Sequence, residues 1–277
     1  MTGSADGYVP GLRPGRRALI SDVDGTLLDG GSPGAGTRPL GEALRRADAA
    51  LVLSSGRDLA LSKEAADVLE RGGLPRASGL VCGVGTEVYL WTDGRYLPDD
   101  DWSRRLASTG FDAEAVRGAL ADVSGLTSQP HDAQSRFKVS YYADAEIAGQ
   151  PTLATVAATL EAAGLAANLV YSAGLFLDVL PTAASKGSAL LYLAERFSLA
   201  GGQVVAAGDS GNDRELLVTA ARAGMVAVLV ANHEPEMEDL RGVPGVLAAT
   251  GRHAFGVLEG IAAAGWPGAA TSGGRDD

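Results

Sequence analysis

The chain has 277 residues, of which 46% are hydrophobic and only 5% aromatic, and its formal net charge is -11. This length allows one large domain or two modest ones, and the hydrophobic fraction supports a core rich in Ala, Val and Leu. An acidic chain is poorly suited to binding nucleic acid non-specifically, so we expect no nucleic-acid partner. Because Cys82 is the single cysteine, no intramolecular disulfide forms and a cysteine-based metal site is excluded.

The sequence lacks the signals of membrane insertion and export. No apolar run reaches the roughly 18 residues that a membrane span requires. Residues 1–17 are rich in Gly and Pro and contain no apolar stretch typical of a signal peptide. We therefore expect no membrane contact and a cytoplasmic location. The sequence carries no signal that decides between a monomer and a dimer.

The first part of the chain alternates short apolar strands with Ala-rich helical patterns. The predicted elements are a strand at 18–21, a helix at 40–47, a strand at 50–53, a helix at 58–70 and a strand at 80–84. Strands that are separated by helices imply right-handed crossovers and a parallel sheet covered on both faces.

Between about residues 86 and 184 the pattern changes to short strands that pair locally. The predicted elements are a strand and hairpin turn at 87–95, a helix at 112–123, a strand at 137–143, a helix at 151–163 and paired strands at 169–172 and 175–180. Hairpins with interposed helices indicate a separate α+β unit with an antiparallel sheet.

The alternation of helices and strands returns after Pro181. Helices are predicted at 186–197, 214–223 and 253–264, and strands at 204–207, 225–231 and 246–248. We therefore predict an α/β fold with a doubly wound, Rossmann-like core formed by residues 1–85 and 185–277. An inserted α+β cap domain at 86–184 splits this core, and such domain interfaces usually hold the substrate pocket.

Two carboxylates, Asp22 and Asp24, follow the first predicted strand directly. Open α/β sheets place their ligand crevice at the carboxyl ends of the strands. The pair offers oxygen ligands to a hard cation such as Mg²⁺, and it also offers a nucleophile beside a proton-transfer group. An Asp-x-Asp pair also occurs in solvated surface loops. The residues at the other strand ends therefore decide between a functional site and a solvated loop.

Three further polar segments lie at or just beyond predicted strand ends: Ser55-Gly56, Lys186-Gly187 and Gly208-Asp209-Ser210-Gly211-Asn212-Asp213. The Ser hydroxyl, the Gly backbone N–H and the lysine are donors that suit a phosphate dianion. Each segment also has a plainer explanation: a helix cap, a solvated lysine and a turn, respectively. Their common position at the strand ends favours a single phosphate and Mg²⁺ site.

These four segments, in this order, resemble the four motifs of the haloacid dehalogenase superfamily of phosphotransferases. The insert resembles the large α/β cap of that superfamily. More narrowly, the chain is similar to the sucrose-phosphate phosphatase branch from about residue 17 to residue 260. The similar segments are 83–89, 101–102, 137–142, 177–181 with 185–187, and 230–232.

The resemblance implies a role for each matched side chain. Asp22 would be the nucleophile that takes the phosphoryl group as an aspartyl phosphate. Asp24 would protonate the leaving sugar oxygen and then activate water to hydrolyse the intermediate. Ser55 and Lys186 would hold the phosphoryl oxygens, and Asn212 would lie beside the phosphate and the metal.

The resemblance also implies a Mg²⁺ site. Asp22, the backbone carbonyl of Asp24, and Asp209 would bind the ion. Asp213 would orient Lys186 and the metal-bound waters. The charge balance agrees with this arrangement, because a carboxylate that attacks a dianionic phosphate needs Mg²⁺ and a lysine to offset the repulsion.

Further substrate contacts are predicted around the crevice. Gly56 and Arg57 follow the second strand, and Thr86 with Glu87 at the start of the insert are placed to bind sugar hydroxyls. Lys138 on a predicted cap strand is a candidate to reach the substrate. For Glu87 and Lys138, the alternative is a solvent-facing side chain on a strand.

One position departs from the sucrose-phosphate branch. There the cap hairpin continues with polar, charged residues that help to grip the disaccharide, whereas this chain has Leu175 and Phe176. An apolar pair does not hydrogen-bond sugar hydroxyls. We therefore expect a sugar phosphate other than sucrose 6-phosphate: a hexose, amino-sugar, glycosyl-glycerate or cyclitol phosphate.

The function predicted from the sequence is a Mg²⁺-dependent sugar-phosphate phosphatase acting on a small phosphorylated substrate. A hexose phosphomutase on the same fold is the first alternative, since it also uses an Asp-x-Asp pair. A non-catalytic sugar-phosphate binding protein is the second alternative.

Overall fold

A computed structural model describes residues 12–143 and 150–267 of the chain. Its strands are β1 (Arg17–Ser21), β2 (Leu28–Asp29), β3 (Ser32–Pro33), β4 (Ala49–Ser54), β5 (Gly79–Cys82), β6 (Glu87–Thr92), β7 (Arg95–Pro98), β8 (Leu126–Ser128), β9 (Val139–Ala143), β10 (Asn168–Ser172), β11 (Phe176–Leu180), β12 (Val204–Gly208), β13 (Val226–Leu229) and β14 (Val246–Ala248). They form an eight-stranded main sheet, a four-stranded sheet and the small β2–β3 hairpin.

The helices of the described residues flank these sheets. They are α1 (Thr37–Arg46), α2 (Leu59–Arg71), α3 (Asp100–Ala107), α4 (Ala113–Leu120), α5 (Gln150–Ala162), α6 (Lys186–Arg196), α7 (Arg214–Arg222) and α8 (His253–Ala263). Within residues 12–143 and 150–267, none of them has the length and apolar character needed to cross a lipid bilayer.

The main sheet has the strand order β14-β13-β12-β1-β4-β5-β6-β7, with β1 near its centre. The strands from β14 to β5 run parallel, and β6 and β7 are added antiparallel at one edge. Successive residues of β1 enter different cores: Ile20 packs in one hydrophobic cluster and Leu19 in the other. This alternation places apolar layers on both faces, as a parallel sheet requires.

The second sheet is antiparallel, with the order β10-β11-β9-β8. One of its faces packs against α4 and α5 around a separate small core that includes Val116, Val156 and Leu177. Residues that alternate with this buried set, such as Phe176 and Asp178, line a cavity shared with the ends of β1 and β4. We call this sheet with α4 and α5 the cap. The predicted α/β class with an antiparallel cap is confirmed.

The start of the insert differs from the prediction. The hairpin β6–β7 pairs with β5 and extends the main sheet, so the cap sheet does not begin at residue 86. The prediction placed the domain boundary at the Gly-x-Gly turn after β5, but this turn joins β5 and β6 as an antiparallel hairpin, with Cys82 paired to Glu87. Helix α3 was also missed, although Asp99 caps it by accepting a hydrogen bond from the Trp102 backbone N–H. Trp102 of this helix packs in the main core.

Candidate active site

The site is built at the end of the central strand. Asp22 directly follows β1, and its backbone N–H donates a 2.9 Å hydrogen bond to the carbonyl of Ala207 on β12. This bond continues the pairing of the two strands and fixes the direction of the Asp22 side chain, which is only 6% exposed. The strand order reverses around β1, so this point is the expected ligand crevice of a doubly wound sheet.

Three buried carboxylates converge here. Oxygen atoms of Asp22, Asp209 and Asp213 lie within 4.8 Å of one another. Burial, followed by repulsion from Asp213, raises the pKa of Asp22 well above its ordinary value, although Lys186 acts in the opposite direction. Burial and the Asp213 charge also raise the pKa of Asp209, to about 7. The cluster therefore carries more negative charge than its protein surroundings offset.

The loop after Asp22 packs tightly against Asp209. Gly25 has a φ of +78°, and a Cβ atom at this position would lie 2.1 Å from Asp209 Oδ2. A glycine is thus the residue that both the backbone conformation and the available space require. Thr26 next to it donates a 2.9 Å hydrogen bond from its hydroxyl to Asp209 Oδ1. These contacts fix the position of the first and last motifs relative to each other.

Lys186 is the cation that pairs with the buried carboxylates. It begins α6, its side chain is fully buried, and its ammonium donates hydrogen bonds to Asp22 Oδ1, Asn212 Oδ1 and Asp213 Oδ1 at 2.6, 2.7 and 2.6 Å. Burial acts to lower the pKa of Lys186, but attraction to Asp213 and Asp22 outweighs it and leaves the pKa raised. The lysine is therefore charged and held in place, not a solvated surface side chain.

Asp213 supports the lysine and its own loop. Besides the bond from Lys186, its Oδ2 accepts hydrogen bonds from the backbone N–H groups of Asp209 and Ser210 at 3.1 and 3.2 Å. Both of its oxygens thus have partners within the protein. Asp213 therefore contacts the Lys186 ammonium directly and also holds its own loop.

Ser55 and Gly56 lie at the end of β4 and line the cavity together with Asn212. Ser55 is not the cap of the next helix, because Asp58 caps α2 by accepting a 2.8 Å hydrogen bond from the Leu61 backbone N–H. The Ser55 hydroxyl oxygen accepts a 3.2 Å hydrogen bond from the Arg57 backbone N–H. The structure brings these three residues to the same crevice as Asp22 and Lys186.

Asp24 and Arg57 form a pair that the sequence did not reveal. The Arg57 guanidinium donates hydrogen bonds to both Asp24 oxygens, at 2.8 and 2.6 Å, and both side chains line the cavity. The hydrogen bond to Asp24 raises the pKa of Arg57, although partial burial opposes this. The Asp24 carboxylate therefore points toward the cavity rim and away from the buried acidic cluster.

The three candidates in the insert differ in their placement. Thr86 is buried, its hydroxyl donates to the Gly83 carbonyl at 2.9 Å, and it does not line the cavity. The local turn satisfies this hydroxyl, so the predicted contact of Thr86 with substrate is not supported by its geometry. Glu87 lines the cavity and accepts a 2.9 Å hydrogen bond from the Tyr89 hydroxyl.

Lys138 lies in the cleft between the cap and the main sheet. Its ammonium is 3.5 Å from the Gly56 carbonyl oxygen and 3.9 Å from Asp178 Oδ1, and the residue is only 9% exposed. The alternative of a solvent-facing lysine is therefore wrong. Lys138 links the cap to the loop that carries Ser55.

The cavity has a volume of about 450 Å³, and the cap supplies much of its wall. Several cap residues that line it were not predicted from the sequence: Gln129, Asp132, Gln134, Ser135, Ser172 and Asp178. Asp178 was detectable, since a charged residue within the apolar strand Phe176–Leu180 is unusual unless it faces a site. The residues of the 129–135 loop show no periodicity that would have identified them.

Asn232 and His253 were also missed. The Asn232 side-chain amide and His253 Nδ1 both lie 2.7 Å from the Gly25 carbonyl oxygen, and Asn232 Oδ1 accepts a 2.8 Å hydrogen bond from the His253 backbone N–H. The two residues thus clamp the loop between Asp22 and Thr26 from the side of α8. Only the tertiary structure brings them to this loop.

The acidic cluster suits a divalent cation. Asp22 Oδ2 is buried and has no hydrogen-bond partner, and an unpaired buried carboxylate oxygen is costly unless a ligand satisfies it. The donor set consists of carboxylate oxygens, which Mg²⁺ prefers. A bound Mg²⁺ would also offset the repulsion that raises the pKa of Asp22 and Asp209.

These pKa shifts predict how the metal-free protein responds to pH. Because the pKa of Asp209 rises from 3.8 to about 7 on folding, the folded protein binds more protons than the unfolded chain between these values. The free energy of unfolding contributed by this group therefore falls as pH rises from about 4 to 7, and levels off above that. We expect Mg²⁺ to raise the thermal midpoint of unfolding by several degrees at pH 7.5 and by less at pH 5.5.

Thermal unfolding in the presence of a chelator, and again with Mg²⁺, measures this effect. Asp209→Asn is the control, because it removes the titrating group. In this variant the thermal midpoint should depend less on both pH and Mg²⁺. An unchanged Mg²⁺ response in Asp209→Asn would contradict the assignment of Asp209 to the cation site.

Comparisons with known proteins agree with this geometry. Residues 15–263 match the model of the sucrose-6F-phosphate phosphohydrolase family. The chain is 33% identical to sucrose-phosphatase 1 of Nicotiana tabacum over 259 residues, which cover 89% of this chain and 58% of that protein. It is 32% identical to mannosylfructose-phosphate phosphatase of Agrobacterium fabrum, covering 88% of this chain and 95% of that protein.

A solved structure is similar as well. The sucrose-phosphatase from Synechocystis sp. PCC6803, in complex with sucrose and phosphate, matches with a TM-score of 0.78 and 26% identity. The match covers 91% of this chain and 99% of that one. This chain therefore corresponds to nearly the whole of the cyanobacterial protein, but spans only 58% of the length of the tobacco protein.

Proposed function

The chain belongs to the sucrose-6F-phosphate phosphohydrolase family of haloacid dehalogenase-type phosphatases, and we propose that it hydrolyses a sugar phosphate with the help of Mg²⁺. The resemblance inferred from its four motifs is thus confirmed. One observation carries the proposal: Asp22 places a buried oxygen without a protein partner beside the Lys186 ammonium and the Asp209 carboxylate.

We propose that Asp22 is the nucleophile. Its carboxylate attacks the phosphorus atom, the bond from phosphorus to the sugar oxygen breaks, and an aspartyl phosphate forms. Lys186, which already holds Asp22 Oδ1, neutralises charge on the phosphoryl oxygens. Ser55 and the Gly56 backbone N–H donate to the same oxygens. When bound by Asp22, Asp209 and the Asp24 carbonyl, Mg²⁺ supplies further charge neutralisation.

Asp24 is the proposed proton-transfer group. It donates a proton to the leaving sugar oxygen in the first step. In the second step it takes a proton from the water that attacks the aspartyl phosphate, which releases phosphate and restores Asp22. In the bidentate pair with Arg57, both carboxylate oxygens of Asp24 accept hydrogen bonds from the guanidinium. We therefore propose that the substrate draws Arg57 away before the first step, so that Arg57 contributes to substrate binding.

We propose that the leaving group is a sugar. Relatives named for sucrose phosphate and mannosylfructose phosphate support a substrate with a carbohydrate leaving group. Lys138 and Glu87 line the cavity, and their proposed role is to bind the sugar hydroxyls. The apolar Phe176 in the same wall favours a hexose, amino-sugar, glycosyl-glycerate or cyclitol phosphate over sucrose 6-phosphate.

A panel of phosphorylated sugars and glycosides, ranked by kcat/KM with Mg²⁺ present, tests the proposal. We expect phosphate release that a chelator abolishes and that excess Mg²⁺ restores. An isomerised sugar phosphate without free phosphate would instead support a phosphomutase. Tight binding of a sugar phosphate without any turnover would support a binding protein.

A further inference from the structure

Exposed apolar side chains are unexpected in a cavity that binds a sugar phosphate. Two of the large hydrophobic residues that remain exposed in the described chain line this cavity: Phe176, which is 36% exposed, and Leu61, which is 46% exposed. Phe176 belongs to cap strand β11, whereas Leu61 lies on α2 beside the main sheet. When a ligand covers apolar surface that faces water in a binding cavity, the removal of that surface from water makes binding more favourable.

In the cap sheet, Phe176 lies between two neighbours on adjacent strands, and we call these three residues the aromatic row. On the face of the sheet that borders the cavity, Phe176 pairs with Tyr142 on one side and Ser172 on the other. The rings of Phe176 and Tyr142 lie 6.0 Å apart between centroids, at an angle of 48°. This contact supports the Phe176 ring from the side and leaves part of it open to the cavity.

The neighbouring row of the same sheet face is polar. Ser140 pairs with Asp178, and its hydroxyl donates a 2.5 Å hydrogen bond to Asp178 Oδ1. Lys138 lies 3.9 Å from the same carboxylate. The cap therefore brings a polar row, through Asp178, and an aromatic row, through Phe176, to the same cavity.

Several polar side chains of the wall are already engaged. The Gln134 amide donates to the carbonyls of Gln129 and Ser140 and accepts from the Ser140 backbone N–H. The Gln129 amide donates to the Tyr141 carbonyl. These two glutamines hold the 129–135 loop against β9, so they have few groups left for substrate hydroxyls.

We propose that Phe176, together with Leu61, forms an apolar subsite for the part of the substrate that lies farthest from the phosphate. This inference rests on the proposed function and concerns the substrate class of that same site. The subsite packs against C–H groups, while Lys138 and Asp178 bind hydroxyls of the phosphorylated ring. The preferred substrate is thus a hexose phosphate with a substituent less polar than a second hexose, such as an aryl or alkyl glycoside.

Steady-state kinetics of two substrates test this subsite. p-Nitrophenyl β-glucopyranoside 6-phosphate carries an apolar substituent, whereas glucose 6-phosphate lacks it. We expect Phe176→Ala to lower kcat/KM for the aryl glycoside about tenfold, mainly through KM, because a ring contact is lost. The same change should leave kcat/KM for glucose 6-phosphate within about twofold of the unsubstituted enzyme.

Leu175→Ala is the matched control. Leu175 precedes Phe176 on the same hairpin and is 41% exposed, but it does not line the cavity. We expect Leu175→Ala to leave kcat/KM unchanged for both substrates. Phe176→Leu should retain part of the preference for the aryl glycoside that Phe176→Ala loses. An equal effect of Phe176→Ala on both substrates, or none on either, would overturn the subsite.

A binding measurement separates failure of the subsite from failure of the proposed function. If the unsubstituted chain releases no phosphate from any substrate, the proposed phosphatase activity fails. Calorimetric titration of the full chain with the two phosphates still tests the subsite in that case. Tighter binding of the aryl glycoside that is lost in Phe176→Ala supports it, and equal affinities refute it.

Discussion

Asp22→Asn is expected to abolish phosphate release while the protein stays folded. An amide is not a nucleophile toward phosphorus, so kcat should fall by a factor on the order of 10⁴ or more. Burial and the nearby Asp213 raise the pKa of Asp22, which means that the ionised form is disfavoured in the folded state. Removing this charge should therefore leave the thermal midpoint of the metal-free protein unchanged or raise it.

Measurement of phosphate release and of thermal unfolding on the same preparations checks both parts of this prediction. Asp93→Asn is a suitable control, because Asp93 is exposed in the turn between β6 and β7 and does not line the cavity. We expect this control to retain activity within about twofold, as for most surface changes. Substantial turnover by Asp22→Asn would refute the assignment of the nucleophile.

Lys186→Met is expected to cause the largest loss of stability in the site, together with loss of activity. The substitution keeps a buried side chain of similar length but leaves the carboxylates of Asp22 and Asp213 without their cation. Breaking a buried ion pair by removal of one partner costs about 3 to 5 kcal/mol. Denaturant unfolding of the metal-free protein measures this cost directly.

A double-mutant cycle identifies the source of the loss. Asp213→Asn in the Lys186→Met background removes one of the stranded charges, so the double variant should be less destabilised than the sum of the single changes. Lys63→Met is the control, since Lys63 is exposed on α2. Additive single effects, or a cost for Lys186→Met no greater than for Lys63→Met, would contradict the proposed charge network.

The candidate site was largely predictable because its motifs lie at strand ends. Asp22, Ser55 and Asp209 each follow a strand of the parallel sheet, and such ends meet at one edge. Local sequence did not reveal how the side chains pair. Arg57 donates a hydrogen bond to Asp24, and Thr86 donates one to the Gly83 carbonyl. Both hydrogen bonds depend on backbone turns that sequence periodicity does not predict.

The cap was less predictable for a related reason. Its strands were recognisable from their apolar pattern, but that pattern does not show whether the turn after β5 separates two domains or joins β5 and β6 within one sheet. The β6–β7 hairpin was therefore assigned to the cap, although it extends the main sheet. The cavity-lining residues of the 129–135 loop carry no pattern at all, and only packing against β9 places them there.

The sequence by itself determined the order of most strands and helices, the four polar segments at the strand ends and the family that they resemble. These features follow from local periodicity and from residue types that the chemistry requires. The tertiary structure decided the complete burial of Lys186, the convergence of three carboxylates and the aromatic row at Phe176. Such properties arise from contacts between segments that are far apart in the chain. The side chains lose their water and acquire their charged neighbours only when folding brings these segments together.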